Sequence, residues 1–305
     1  MRLPHPIPYQ GSKRIIASQL LSFFPPDSSR LVEPFAGSAA VSIAAAYHGK
    51  ASRFHLNDLN EPLMRLWKEI IDNPMQIAAA YTQLWGKQQG QERTFYNEVR
   101  DDFNRTKKSE HLLYLLARCV KASVRYNEYG QFNQSPDNRR QGRNPRSMKA
   151  DIFAVSSLLR SKVTITSQDY RDVLGGLHRD DLVYMDPPYQ GVCGNRDQRY
   201  SDSVAVDEFI RALKKLTREG VCFILSYDGR CGEKVYGERM PSELNLYRIE
   251  IEVGRSTQAT LLGRKDITYE SIYLSPSLAD RLEIKLKKDG HVPVIRRARQ
   301  LVMSY

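Results

Sequence analysis

Leu31-Val32-Glu33-Pro34-Phe35-Ala36-Gly37-Ser38-Ala39-Ala40 is the stretch from which the fold can be read. Leu31 to Glu33 forms a short strand, Pro34 to Ser38 a turn, and the alanine-rich run from Ala39 to His48 a segment of high helix propensity. Gly49 follows, the residue type that ends helices because it accepts a left-handed backbone. Arg53 to Asn57 reads as a second strand and stops at Asp58, which completes a βαβ unit. A second block repeats the alternation. Val163 to Thr166 is β-branched, and Asp181 to Met185 is the continuous apolar run of a strand buried on both faces. Asp207 to Glu219 sets Phe209, Ile210, Leu213 and Leu216 at helical spacing before Gly220, and Val221 to Leu225 is a further buried strand. Strands alternating with helices predict an α/β protein with a doubly wound sheet.

The segment between the blocks is different. From about Arg65 to Arg160 the apolar residues recur at helical spacing, and a polar stretch rich in Asn, Gln, Gly and Arg spans Arg125 to Arg146. Residues 65–160 hold 17 Lys and Arg against 10 Asp and Glu, so most of the excess charge of the chain (+11 over 305 residues) lies in this insertion. That bias favours a polyanionic partner, nucleic acid above all. The division expected is a catalytic, cofactor-binding domain formed by residues 1–64 and 161–305, with a binding module over 65–160. The stretch from Arg281 to Arg299 is also basic.

Composition excludes several classes. The 41% hydrophobic and 27% charged fractions are those of a globular chain with a large core. No apolar run reaches the ~18 residues of a membrane span, and Met1 to Pro6 offers no signal-peptide h-region. Four scattered cysteines without a CxxC pair read as reduced cytoplasmic thiols. The six histidines make neither HExxH nor a zinc-finger spacing, so no metal is expected.

Asp186-Pro187-Pro188-Tyr189 stands directly after the buried strand ending at Met185, and in open α/β sheets ligands bind beyond the carboxyl ends of strands. Two consecutive prolines fix φ and withhold N–H donors, so the turn is stiff and presents carbonyl oxygens. A carboxylate beside a main-chain carbonyl is a rigid pair of acceptors suited to an exocyclic amine, and the Tyr189 ring suits stacking on a flat heterocycle. The Glu33–Ala40 turn lacks the full GxGxxG pattern, but Asp58 stands where an acidic residue grips a ribose diol. With no GxxxxGK[ST] phosphate cradle, the ribose-bearing cofactor indicated is S-adenosylmethionine.

In order along the chain stand Pro8-Tyr9-Gln10-Gly11-Ser12-Lys13, the Glu33–Ala40 turn, Asn57-Asp58-Leu59-Asn60, the insertion with Arg125-Tyr126-Asn127 and Gly130-Gln131-Phe132-Asn133, and Asp186 to Tyr189. This ordered set resembles the Dam-type (D12 class) DNA adenine-N6 methyltransferases, including methylases of restriction–modification systems, over most of residues 7–275. The resemblance implies a doubly wound, Rossmann-like S-adenosylmethionine-dependent methyltransferase sheet with a mainly helical target-recognition insertion carrying a β-hairpin. It implies that Tyr9 and Lys13 contact the cofactor, Lys13 near its methionine carboxylate. Asp58 is implied to hold the ribose hydroxyls, and Glu33, Pro34, Phe35, Ala36, Gly37 and Ser38 to line the methionine end with Asp186. Asp186 and the Pro187 carbonyl are implied to accept from the target N6, with Pro188 and Tyr189 completing the corner. Ala39 departs from the family pattern, which has a second glycine there.

The reaction so implied transfers a methyl group to N6 of an adenine flipped out of duplex DNA and releases S-adenosylhomocysteine, with no metal and no covalent enzyme intermediate. Arg125, Tyr126, Asn127, Asn133, Arg139, Arg140 and Arg143 are the expected DNA-binding residues, since Arg reads guanine and Asn or Gln reads adenine in the major groove. A monomer in the cytoplasm is expected, with a cognate restriction endonuclease acting separately as the partner such systems imply. The alternatives are an N4-cytosine methyltransferase, which more often carries Ser in place of Asp186, and a non-catalytic DNA-binding protein with a degenerate cofactor site.

Overall fold

The computed structural model describes residues 2–188, 206–255, 266–284 and 294–295. Its centre is one sheet. Strands β1 (Arg30–Glu33), β2 (Arg53–Asn57), β3 (Val163–Thr166), β4 (Asp181–Met185) and β5 (Cys222–Cys231) run parallel in the order β3-β2-β1-β4-β5. Every residue of β4 is buried, as expected of a strand covered on both faces. The sheet continues past β5 into β8 (Ile267–Leu274) and β7 (Tyr247–Arg255), both in antiparallel pairings. A short β6 (Lys234–Tyr236) folds back on β5, and β9 (Val294–Ile295) runs parallel to β7. This antiparallel flank is an addition to the sequence expectation. β7 carries polar residues on alternate positions, and β8 has an apolar run only over its last three residues, Ile272 to Leu274, so neither shows the full-length apolar run of β4.

Helix α1 (Ala17–Leu20) precedes β1, and α2 (Ala40–Tyr47) connects β1 to β2. Six successive residues of α2, Ala40 to Ala45, are buried, and the small side chains of Ala40, Ser42, Ala44 and Ala45 permit close packing around Val41 and Ile43. Five helices follow β2: α3 (Glu61–Asp72), α4 (Pro74–Lys87), α5 (Glu92–Thr106), α6 (Ser109–Arg118) and α7 (Pro145–Leu159). Asn60 caps α3 by accepting from Leu63 N at 3.2 Å, and Pro62 stands in the first turn, where a missing N–H is harmless. One apolar cluster runs without a break from Leu31, Phe54 and Leu56 of the sheet to Trp67, Tyr81, Tyr114 and Ile152 of these helices. Helices α8 (Tyr170–Gly175), α9 (Val206–Arg218) and α10 (Pro276–Arg281) complete the described α-helices.

Between α6 and α7 the chain makes a tight hairpin. Tyr126 and Phe132 face each other as an antiparallel bridge, and Asn127 N donates to Gln131 O at 2.9 Å. Asn127 Oδ1 accepts from both Tyr129 N (3.0 Å) and Gln131 N (2.9 Å), which shapes the tip, and Gly130 takes a φ of +67° there. Phe132 anchors the hairpin edge-on to Phe103, and Asn104 clamps its backbone through both N (2.7 Å) and O (3.0 Å).

Among the described residues, no helix is long and apolar enough to cross a membrane. Cys119 and Cys222 are buried free thiols and Cys231 is half-buried, while Cys193 lies outside the described residues.

Candidate active site

The strand order reverses at β1, which pairs with β2 on one side and β4 on the other. Such a switch point opens a crevice at the carboxyl ends of the strands. There the three neighbours deliver Asp58 after β2, the Pro34–Ser38 turn after β1, and Asp186 after β4. At the opposite end of the strands, Arg30 grips Asp181 through two hydrogen bonds (2.7 and 2.5 Å), which fixes β1 against β4 in register.

The cleft so formed has a volume of about 1000 Å³. Of the residues expected to bind cofactor or substrate, Tyr9, Lys13, Glu33, Pro34, Phe35, Ala36, Gly37, Ser38, Asp58, Asp186, Pro187 and Pro188 all line it. Tyr189 lies outside the described residues.

The turn after β1 is locked by its neighbours. Asp58 accepts from Gly37 N with one carboxylate oxygen and from Asn60 N with the other, each at 3.0 Å. Burial pushes the Asp58 carboxyl up against the pull of these two donors. Gly37 has a φ of +48°, and a Cβ there would meet Tyr9 Cε1 at 3.2 Å, so the missing side chain lets the aromatic ring lie against the backbone. Ala39, where the family pattern has glycine, takes the left-handed conformation all the same (φ +47°), a cost of about 1 kcal/mol. Ala39 N donates to Ala36 O at 2.6 Å and Trp67 Nε1 to Gly37 O at 2.9 Å, and these bonds hold the strained turn. Glu33 is buried with one oxygen accepting from Ser42 N at 2.7 Å. Desolvation lifts its carboxyl to about 7, and the charge of Asp186 adds to the shift.

The corner after β4 is built differently. The Lys13 ammonium lies 2.8 Å from Asp186 Oδ1 and 2.8 Å from Glu270 Oε1. Lys13 opens a single 3₁₀ turn, Lys13–Ile15, close to the amino terminus, and Glu270 comes from β8. Desolvation pushes the Asp186 carboxyl up to about 6, Lys13 pulls it down, and Glu270 pushes it up again. The sequence expectation set Lys13 against a methionine carboxylate; in the structure its ammonium joins two carboxylates of the protein. Glu270 escaped the sequence reading. It stands mid-strand beside Ser271 with no local motif, and the β5–β8 pairing brings it to the site.

The expected DNA-binding residues are dispersed. Tyr126 alone of them lines the cleft, its hydroxyl donating to Asn60 Oδ1 at 3.3 Å. Asn127 shapes the hairpin tip, Arg125 is half-buried, and Asn133 is exposed. Arg139 and Arg140 are exposed beside Arg93 and Arg118 in a separate depression, with Asp137 at 3.9 and 3.8 Å. Arg143 is turned inward, bonded to the Asp151 carboxylate and the His5 carbonyl. Tyr129 at the hairpin tip is 78% exposed. Among the described residues, no group of three or more His, Cys, Asp or Glu is arranged to hold a metal.

Residues 9–250 match the D12 class of N6 adenine-specific DNA methyltransferases. The chain belongs to that family. It is 30% identical over 189 residues to the retron Ec67 DNA adenine methylase of Escherichia coli, an alignment covering 60% of this chain and 62% of that protein. It is 26% identical over 268 residues to the type II methyltransferase M.MjaIII of Methanocaldococcus jannaschii, covering 76% of this chain and 90% of that one. The DNA adenine methylase of Salmonella typhimurium is 26% identical over 168 residues, with 54% and 57% covered. The parallel sheet with its switch-point cleft is the Rossmann-like arrangement expected of such a methyltransferase.

Proposed function

We propose that the protein transfers a methyl group from S-adenosylmethionine to N6 of an adenine turned out of duplex DNA, as a cytoplasmic monomer. The observation that carries this reading is the convergence, at adjacent strand ends, of an acceptor corner at Asp186 and Pro187 with a turn locked by Asp58. The residues present fit such a cofactor. The cleft is at the upper end of the range for small-molecule sites, the Tyr9 ring lies against Gly37, and the Asp58 carboxylate retains lone pairs beyond the two backbone bonds it accepts. When bound, S-adenosylmethionine supplies a methyl group on a sulfonium, already activated by its leaving group.

Everything else falls to the chain. The amine lone pair of adenine is delocalised into the ring, so N6 is a poor nucleophile. Asp186 and the Pro187 carbonyl accept its two N–H bonds, favour a pyramidal nitrogen and stabilise the positive charge that grows on it. With its carboxyl near 6, Asp186 is mainly ionised at neutral pH and accepts hydrogen bonds. The stiff Pro187-Pro188 pair keeps both acceptors aimed, and Tyr189, outside the described residues, is assigned the stacking role on the base. Because N6 is paired inside the duplex, the adenine leaves the stack to enter the cleft.

Residues 65–160 are the target-recognition part in this reading, and residues 1–64 and 161–305 the catalytic part. The excess charge of 65–160 supports it, as do the exposed side chains of Asn133, Arg139 and Arg140. Arg143 is left out because its guanidinium is engaged internally. A separately acting endonuclease of the same recognition sequence is compatible with this reading. Incubation of plasmid DNA with tritiated S-adenosylmethionine, followed by nucleoside mapping, tests it. Label in N6-methyladenine at one sequence is expected; label on cytosine, or none on DNA, overturns it.

A further inference from the structure

Among the described residues, Glu270 is a charged side chain at the β4 corner to which the chemistry above gives no role. It is 14% exposed, on the strand that pairs antiparallel to β5, and its carboxylate meets the same ammonium as Asp186. A single Lys13–Asp186 pair would be neutral. An ammonium donating to Asp186 draws density from the carboxylate that must stabilise a cation forming on the target nitrogen, so the pair by itself weakens the acceptor. With Glu270 on the other side, two carboxylates share one ammonium, and these three side chains together keep a net negative charge. We propose that Glu270 is a positioning residue for methyl transfer, holding the Lys13 ammonium between two carboxylates so that Asp186 faces the target amine as an uncompensated anion. This rests on the reading of the cleft as an amine-methylating site.

The geometry suits the role. Lys13 comes from the amino-terminal segment, which is itself tied to the insertion by the bond from Gln10 N to Ala122 O at 2.9 Å. A lysine side chain on a short turn has many rotamers, and two carboxylates at 2.8 Å restrict it to one. Low exposure of all three groups makes their mutual field stronger than at a surface pair. Among the described residues, the titratable groups facing Asp186 besides Lys13 and Glu270 are Glu33 from the end of β1 and Tyr184 from β4 itself. Glu33 is half-titrated near neutral pH, so its contribution fades on acidification, while Tyr184 stays protonated throughout. Among the described residues, Glu270 is the carboxylate that shares the Lys13 ammonium with Asp186.

The test is Glu270→Gln, which preserves size and an oxygen acceptor for Lys13 while removing the charge. The turnover number kcat on duplex DNA is expected to fall roughly 10- to 100-fold, with cofactor KM and DNA Kd within a few fold of wild type. The acid limb of the kcat profile is expected to move to lower pH, since Asp186 loses a neighbouring negative charge that raises it. Glu270→Asp should recover part of the loss. A double-mutant cycle with Lys13→Met asks whether Glu270 acts through the ammonium, and the Glu270→Gln effect should shrink when Lys13 is gone. Wild-type kcat in Glu270→Gln, an unmoved acid limb, or additive single effects in the cycle would each overturn the proposal. Failure of the wild-type protein to methylate adenine is a different result and would overturn the reading of the cleft.

Discussion

The two walls of the cleft achieve order by opposite means. The wall formed by the Pro34–Ser38 turn and Asp58 is held by backbone N–H groups of Gly37 and Asn60, which donate to the Asp58 carboxylate. The wall at Asp186 is held by side-chain charge, with Lys13 and Glu270 delivered from distant parts of the sequence. Backbone donors gathered on one carboxylate fix shape; an ammonium shared by two carboxylates fixes charge. The first wall is suited to grip a cofactor whose shape does not change, and the second to meet a nitrogen whose charge does.

Five substitutions test this contrast, the last two of them placed away from both walls. Asp186→Ala should give the largest effect, a loss of roughly 10³-fold or more in kcat with cofactor affinity within a few fold, measured by single-turnover labelling and by cofactor titration. Retained turnover would mean that the charged wall is not where the chemistry happens. Asp58→Ala should act the other way, weakening cofactor binding about 10- to 100-fold and lowering stability by about 1–3 kcal/mol, since Gly37 and Asn60 lose their acceptor. Calorimetry and denaturant titration would show both, and an effect on kcat alone would erase the contrast.

Glu33→Gln tests the boundary between the walls. The buried carboxyl has a raised pKa of about 7, so the folded state holds its proton to higher pH than the unfolded chain does. Stability contributed by this group is therefore full below the ordinary carboxylate range and declines as pH rises toward 7. Replacement by Gln should stabilise the protein at pH 8 by about 1–3 kcal/mol and change little at pH 5, read as a Tm difference that grows with pH. A pH-independent difference would show that Glu33 is not titrating in the fold. Least dramatic are Arg139→Ala and Arg140→Ala, away from both walls. Each should weaken duplex binding a few fold and lower the salt slope by about one, measured from 50 to 200 mM salt. A changed ranking of target sequences would make them base readers, and an unchanged slope would remove them from the interface.

Much of the first wall was legible because its determinants are local. The strand–turn–helix pattern from Leu31 to Tyr47 and the spacing to Asp58 follow from propensity and from the needs of a βαβ unit, and the observed strands begin and end within a residue of expectation. The apolar run of β4 placed Asp186 at a strand end in the same way. Less legible were the hairpin residues. Asn127 looks like a base reader in sequence, but its oxygen is used by Tyr129 and Gln131 N–H groups, and Arg143 is taken by Asp151, a residue on α7. Arg and Asn side chains bond whatever acceptor or donor the fold brings near, and sequence does not say which.

The amino-acid sequence by itself determined the alternation of strands and helices, the stiff Asp186-Pro187-Pro188 corner and the basic insertion, because each is written in neighbouring residues. Tertiary structure alone decided the antiparallel flank of β7 and β8, the meeting of Glu270 with Lys13, and the inward turn of Arg143. These depend on pairing between segments far apart in the chain, and the Coulomb field of a charge acts through space without regard to its place in the sequence.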